Sequence, residues 1–139
     1  FRIYGEEPLS NQIVKAIFDA RRKERITTTT QLAEIVSSCT KRRGKIHPAT
    51  RIFQALRIVV NDEFGEIERG LEAASNILRK DGRLVVISFH SLEDRIVKRF
   101  LKDALSLEVI TKKPIRPHFK EVKHNPRARS AKLRIAQKQ

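Results

Sequence analysis

Apolar residues recur at three- and four-residue intervals from Pro8 to Arg25. Leu9, Ile13, Ala16, Ile17 and Ala20 form one stripe, which predicts a helix. Pro8 suits the first turn. Arg21-Arg22-Lys23 falls at the end, where the helix dipole favours cations. The Thr27–Thr30 run offers N-cap hydroxyls, and a second helix is predicted from Thr30 to about Thr40, with Leu32, Ile35, Val36 and Cys39 on one face. After the polar loop Lys41-Arg42-Arg43-Gly44-Lys45, His47-Pro48 opens a third helix, with Ile52, Phe53, Leu56, Val59 and Val60 as its expected buried stripe. A fourth helix is predicted from Gly65 to Arg79, burying Ile67, Leu71, Ala74, Ile77 and Leu78.

The period changes after the turn signal Asp81-Gly82. Leu84-Val85-Val86-Ile87 is a continuous apolar run, expected to be a strand buried on both faces. A helix capped by Ser91 or the residue before it follows to about Ala104, with Leu92, Ile96, Val97, Phe100 and Leu101 inward. Two short strands are predicted, Glu108–Lys113 and Ala131–Ala136, separated by an irregular Pro-, Arg- and Lys-rich loop. A strand buried on both faces needs neighbours on both sides, and the two late strands cannot supply them all. The missing strands are expected to come from sequence outside this chain.

Charge changes this picture from fold to partner. In 139 residues, 30 Lys and Arg stand against 16 Asp and Glu, a formal net charge of +14. Such an excess points to a polyanion, most often nucleic acid. No run of 18 apolar residues exists, so no membrane span is expected. Phe1-Arg2-Ile3-Tyr4-Gly5 lacks the pattern of a signal peptide, and the absence of any Met predicts that the chain begins inside a longer protein. Cys39, the single cysteine, can form neither an internal disulfide nor a zinc site and is expected to pack.

None of the five glycines falls in a G-x-G-x-x-G or P-loop spacing, and H-E-x-x-H and G-x-S-x-G are absent. Three segments carry candidate chemistry. Ser88-Phe89-His90-Ser91-Leu92-Glu93-Asp94 lies at the C-terminal end of the apolar strand, where open α/β sheets bind ligands. There His90 could exchange a proton, and Ser88 and Ser91 could bond a base edge. Glu93 and Asp94 could equally do no more than complement the helix dipole. Arg51, Gln54 and Arg57 share a face of the third helix; with Lys41, Arg42, Arg43 and Lys45 they make a basic stretch free of acids that could grip phosphates. Residues 111–139 hold ten basic side chains against Glu121 alone, an electrostatic footprint for nucleic acid with His118 and Phe119 as its only stacking candidates.

Several blocks together carry a family resemblance. They are Tyr4-Gly5-Glu6-Glu7; His47-Pro48-Ala49-Thr50-Arg51 through Phe53-Gln54-Ala55-Leu56-Arg57 and Val60-Asn61-Asp62-Glu63; Gly82-Arg83-Leu84 with Ile87-Ser88-Phe89-His90-Ser91-Leu92-Glu93-Asp94-Arg95-Ile96-Val97-Lys98; and Asn125-Pro126-Arg127-Ala128-Arg129-Ser130-Ala131-Lys132-Leu133-Arg134. In this order they resemble the C-terminal portion of the MraW family of ribosomal RNA small subunit methyltransferases (methyltransferase H). The resemblance implies an α/β protein: the C-terminal half of a Rossmann-like class I methyltransferase fold preceded by part of a helical insertion domain. Residues 1–50 would end the substrate-binding insertion, and residues 51–139 would form the second half of the methyltransferase domain.

The implied activity is S-adenosyl-L-methionine-dependent N4-methylation of a cytidine in small-subunit, 16S-type rRNA. Ser88, His90 and Ser91 are then the candidates for the cytosine pocket. Arg51, Gln54, Arg57, Arg127, Arg129 and Lys132 are the candidates for RNA contacts; no metal site is implied. The family's glycine-rich loop, its acidic ribose ligand and its Asp-Leu-Gly motif have no counterpart here. No cofactor-binding residue is therefore assigned to this chain, and by itself it is expected to be inactive. The stretch from Leu107 to Asn125 is short for the family. The expected partner is small-subunit rRNA or the ribosomal subunit, in the cytoplasm or an organelle, with dimerisation left open. The alternative is a stand-alone basic RNA-binding module without catalysis.

Overall fold

In the N-terminal part, a side chain accepts one backbone N–H at or just ahead of the start of each helix. The buried Glu7 carboxylate accepts the Leu9 N–H at 3.0 Å, just ahead of helix α1 (Ser10–Lys23). Helix α2 (Thr29–Ser38) opens with a capping box: Thr28 Oγ1 accepts the Gln31 N–H, and Gln31 Oε1 accepts the Thr28 N–H. Helix α3 (Thr50–Val60) follows a turn in which His47 Nδ1 accepts the Ala49 N–H. The computed structural model describes residues 1–40 and 46–139, so the basic loop 41–45 lies outside the described residues.

These helices belong to the first of two compact units, Phe1–Asp62 and Glu63–Gln139. The core of the first unit is Ile13, Val36, Ala49 and Ile52, with Leu32, Cys39 and Phe53 packed against it. The stripe of α3 differs from expectation. Ile52, Ala55 and Ile58 are buried, whereas Val59 and Val60 are 60% and 79% exposed. Val59 lies seven residues from Ile52 and so on nearly the same face; it is exposed in the last turn of the helix, past the cluster that packs around Ile52. Gly5 lies against α3: a Cβ there would stand 2.7 Å from the Arg51 carbonyl oxygen and 2.8 Å from that of Phe1.

The second unit runs α4 (Glu63–Ile77), β1 (Arg83–Ser88), α5 (Ser91–Asp103), β2 (Leu107–Val109), α6 (Phe119–His124), a 3-10 turn (Pro126–Ser130) and β3 (Lys132–Lys138). Its sheet has the order β1-β3-β2, with both pairings antiparallel. Register partners share a face. Leu84 opposite Ala136 and Val86 opposite Arg134 look toward the helices, where Leu71, Val97, Leu101 and Leu107 complete the core. Val85 opposite Ile135 and Ile87 opposite Leu133 share the other face.

That second face corrects an expectation. Val85 and Ile87 are 52% and 55% exposed, so β1 is buried on one face only. Helices cover one side of this sheet, and no described layer covers the other. Among the described residues, β1 pairs with β3 alone. The 108–113 strand is also shorter than predicted. After Val109, the Ile110 and Thr111 N–H groups both reach the Ile135 carbonyl, and ladder contact resumes only at Ile115 with Leu133. Lys112 and Lys113 therefore fall in a break of the ladder. The presumed irregular loop holds α6 and the 3-10 turn, both too short to show a hydrophobic period. Ile77, expected inward, is 84% exposed at the end of α4. No helix of the described residues is long and apolar enough to cross a membrane.

Candidate functional site

β1 ends at Ser88, whose buried side chain has Oγ 3.5 Å from the Lys132 carbonyl on β3. The next turn is built around His90, the N-cap of α5. Its Nδ1 accepts the Glu93 N–H at 3.2 Å. In return Glu93 Oε2 accepts the N–H groups of Phe89 at 2.8 Å and His90 at 3.2 Å. This is a capping box with histidine in the place usually held by Ser, Thr or Asp. Because Nδ1 accepts, a neutral ring carries its proton on Nε2. Nε2 is buried 3.1 Å from Glu93 Oε1, but in poor alignment for a hydrogen bond. The Phe64 ring lies 6.3 Å from the imidazole, centroid to centroid.

Glu63, His90 and Glu93 each place one ligand atom within 4.8 Å of the others, a composition that could hold a metal ion. The cap opposes that use. Ligation through Nε2 needs its lone pair, and Nδ1 would then have to carry the proton and stop accepting the Glu93 N–H. The hydrogen bonds make His90 and Glu93 a helix cap, with the Glu63 carboxylate of α4 within 4.8 Å of it.

Asp94 extends the turn to β3. Its carboxylate accepts from Arg134 Nε at 2.7 Å and Nη2 at 3.2 Å, and from Lys132 Nζ at 3.4 Å. Burial alone would raise the Asp94 carboxyl. The hydrogen bond and charge of Arg134, with those of Lys132, outweigh it and hold the group below the usual carboxylate range. Glu93 and Asp94 thus do more than complement the helix dipole. The signal for Glu93 was its position three residues after the cap; the Asp94 contact spans 40 residues and has no local signature.

The structure therefore brings Ser88, His90, Ser91 and Lys132 to one end of the sheet, with Ser91 exposed in the first turn of α5. Lys132 is not a free cation there, since it is paired with Asp94. Arg127 and Arg129 are exposed on the 3-10 turn that leads into β3. Arg51, Gln54 and Arg57 lie on α3, in the other unit. Arg51 Nη1 donates to the Glu6 carbonyl at 3.1 Å and stands 3.9 Å from Glu7 Oε2, so it is partly committed to its own unit. Beside it, a cleft of about 580 Å³ opens between the Glu7–Leu9 turn, Ile13, Val36 and Arg51.

Among the described residues the fold is α/β, with six helices and a three-stranded antiparallel sheet. The chain belongs to the MraW methylase family, whose model matches residues 1–139. It is 52% identical to the ribosomal RNA small subunit methyltransferase H of Sulfurihydrogenibium sp. (strain YO3AOP1), over 99% of this chain and 49% of that protein. The protein of the same name from Trichodesmium erythraeum is 55% identical, over 99% and 49%. That from Deinococcus deserti is 57% identical, over 97% and 45%. The chain spans about half the length of the curated relatives it matches.

The family implies S-adenosyl-L-methionine as methyl donor. An added Cβ at Gly5 or Gly82 would stand 2.7 Å or 2.8 Å from the chain's own Arg51 or Arg79 carbonyl, and one at Gly70 would meet nothing within 4 Å.

Proposed function

We propose that this chain is the substrate-binding C-terminal part of an S-adenosyl-L-methionine-dependent enzyme that methylates the exocyclic N4 of a cytidine in small-subunit rRNA. The observation that carries this reading is the identity of 52–57%, over nearly the whole chain, with bacterial proteins named as small-subunit rRNA methyltransferases. In this reading residues 1–50 close a helical insertion and residues 51–139 complete a Rossmann-like domain. The unpaired edge of β1 and its exposed Val85–Ile87 face are where the rest of that domain would dock. The complete enzyme would work on ribosomal subunits in the cytoplasm, with its donor site outside this chain.

The N4 amine is a poor nucleophile because its lone pair is delocalised into the ring. Acceptors that hold the amino hydrogens let the nitrogen pyramidalise, and fixed alignment supplies much of the remaining acceleration. The target base must also leave its stack. Ser88 and Ser91 are assigned to the cytosine pocket as its polar rim. His90, whose Nδ1 is held by the Glu93 N–H, is assigned there as the residue that sets the shape of the turn. Arg51, Gln54, Arg57, Arg127, Arg129 and Lys132 are assigned to RNA.

The test is transfer of a labelled methyl group by the full-length protein to small ribosomal subunits that lack the modification, followed by nucleoside mass analysis. N4-methylcytidine is the expected product. Label on another base, or no transfer, overturns the reading.

A further inference from the structure

Among the seven phenylalanines, Phe119 is the most exposed, at 76%. It opens α6, in the excursion between β2 and β3 where seven cations stand against Glu121 alone. Lys120 and Lys123 are exposed on the same short helix, and Arg116 and Arg127 are exposed to either side of it. Phe119 and Lys123 are four residues apart and so neighbours on the helix surface. The excursion is held at both ends. Ile115 exchanges two backbone hydrogen bonds with Leu133, each 2.9 Å, and buried Ala128 anchors the 3-10 turn, with the Ala131 N–H on its carbonyl at 2.8 Å. The ring is therefore presented from an anchored segment, which lowers the ordering cost of binding.

We propose that Phe119 is a stacking platform for an unpaired nucleobase of the RNA, with the surrounding Lys and Arg side chains on the adjoining phosphates. This rests on the RNA reading above and adds a contact to it. An exposed ring with exposed cations near it in sequence, at 116, 120, 123 and 127 against Glu121, suits single-stranded nucleic acid, which offers a π face and a phosphate together. Protein interfaces are depleted of charge at their core, and the segment around Phe119 is rich in it.

The test uses the full-length protein and a fluorescent single-stranded cytidine RNA of about 12 nucleotides, beside the same strand paired with its complement. F119A and F119L each weaken single-strand binding by roughly tenfold, and F119Y restores it. Duplex binding and the slope of affinity against salt stay as in the wild type, because no charge is removed. Unchanged single-strand binding in F119A, or wild-type binding in F119L, overturns the stacking role. An equal loss on single strand and duplex overturns it too. So does a loss seen only with intact subunits, which would mark a protein contact. If the wild type binds neither RNA, the RNA reading itself fails, and the stacking role with it.

Discussion

Two stretches of the second unit lie at the same end of its sheet and are built in opposite ways. The β1–α5 turn folds its polar groups onto one another. His90 and Glu93 cap the helix reciprocally, and Asp94 binds Arg134 and Lys132. The 116–131 excursion leaves its cations in solvent, with Arg116, Lys120, Lys123, Arg127 and Arg129 all exposed. A polar network already bonded within the chain costs little entropy on binding and fixes geometry. Exposed cations add little to folding and much to long-range attraction for phosphate. Under the proposed function the comparison assigns a division of labour, in which the turn would set the position of groups near the base and the excursion would supply affinity.

The strongest way to break this contrast is at Asp94. Asp94→Ala leaves Arg134 buried without its carboxylate, and we expect a loss of about 3 kcal/mol in denaturant unfolding. A change under about 0.5 kcal/mol, the range of ordinary surface substitutions, would mean that the pair does not hold the turn to β3. The next effect is at the cap. His90→Ala should cost about 1 kcal/mol, and His90→Asn or His90→Asp should recover most of it, since both are good N-caps. Equal losses in all three would place the role of His90 at Nε2 rather than in capping.

The pH profile sharpens the same point. The Asp94 carboxyl is held low in the folded chain. Its contribution is therefore present above the ordinary carboxylate range and is lost as pH falls through the lowered folded value. Wild type should lose more stability than Asp94→Asn on acidification below about pH 4, as read by urea midpoints at each pH. Parallel profiles would remove Asp94 from the account. The smallest effect belongs to the excursion. Arg127→Ala with Arg129→Ala should shift the unfolding midpoint by no more than about 0.5 kcal/mol in free energy.

Much of the second unit was legible because its pattern is local. The run Leu84–Ile87 between a turn and a capped helix marks β1, and three- and four-residue spacing marks α5. What periodicity could not show was the number of layers over the sheet. Val85 and Ile87 have the chemistry of buried residues, yet their exposure depends on what lies across from them. α6 and the 3-10 turn are too short for a period to form. At the candidate site, Ser88 and His90 were found by their place at a strand end. The carboxylates that organise them were missed as a group, because Glu63 lies on another helix and Arg134 is 40 residues from its partner in sequence.

The division of labour is tested most directly by steady-state methyl transfer to small subunits over a series of salt concentrations, using the full-length protein and its R127A/R129A variant. The account predicts a higher KM with a shallower dependence on salt, by up to about two units of log–log slope, and an unchanged kcat. A fall in kcat with the salt slope intact would contradict it.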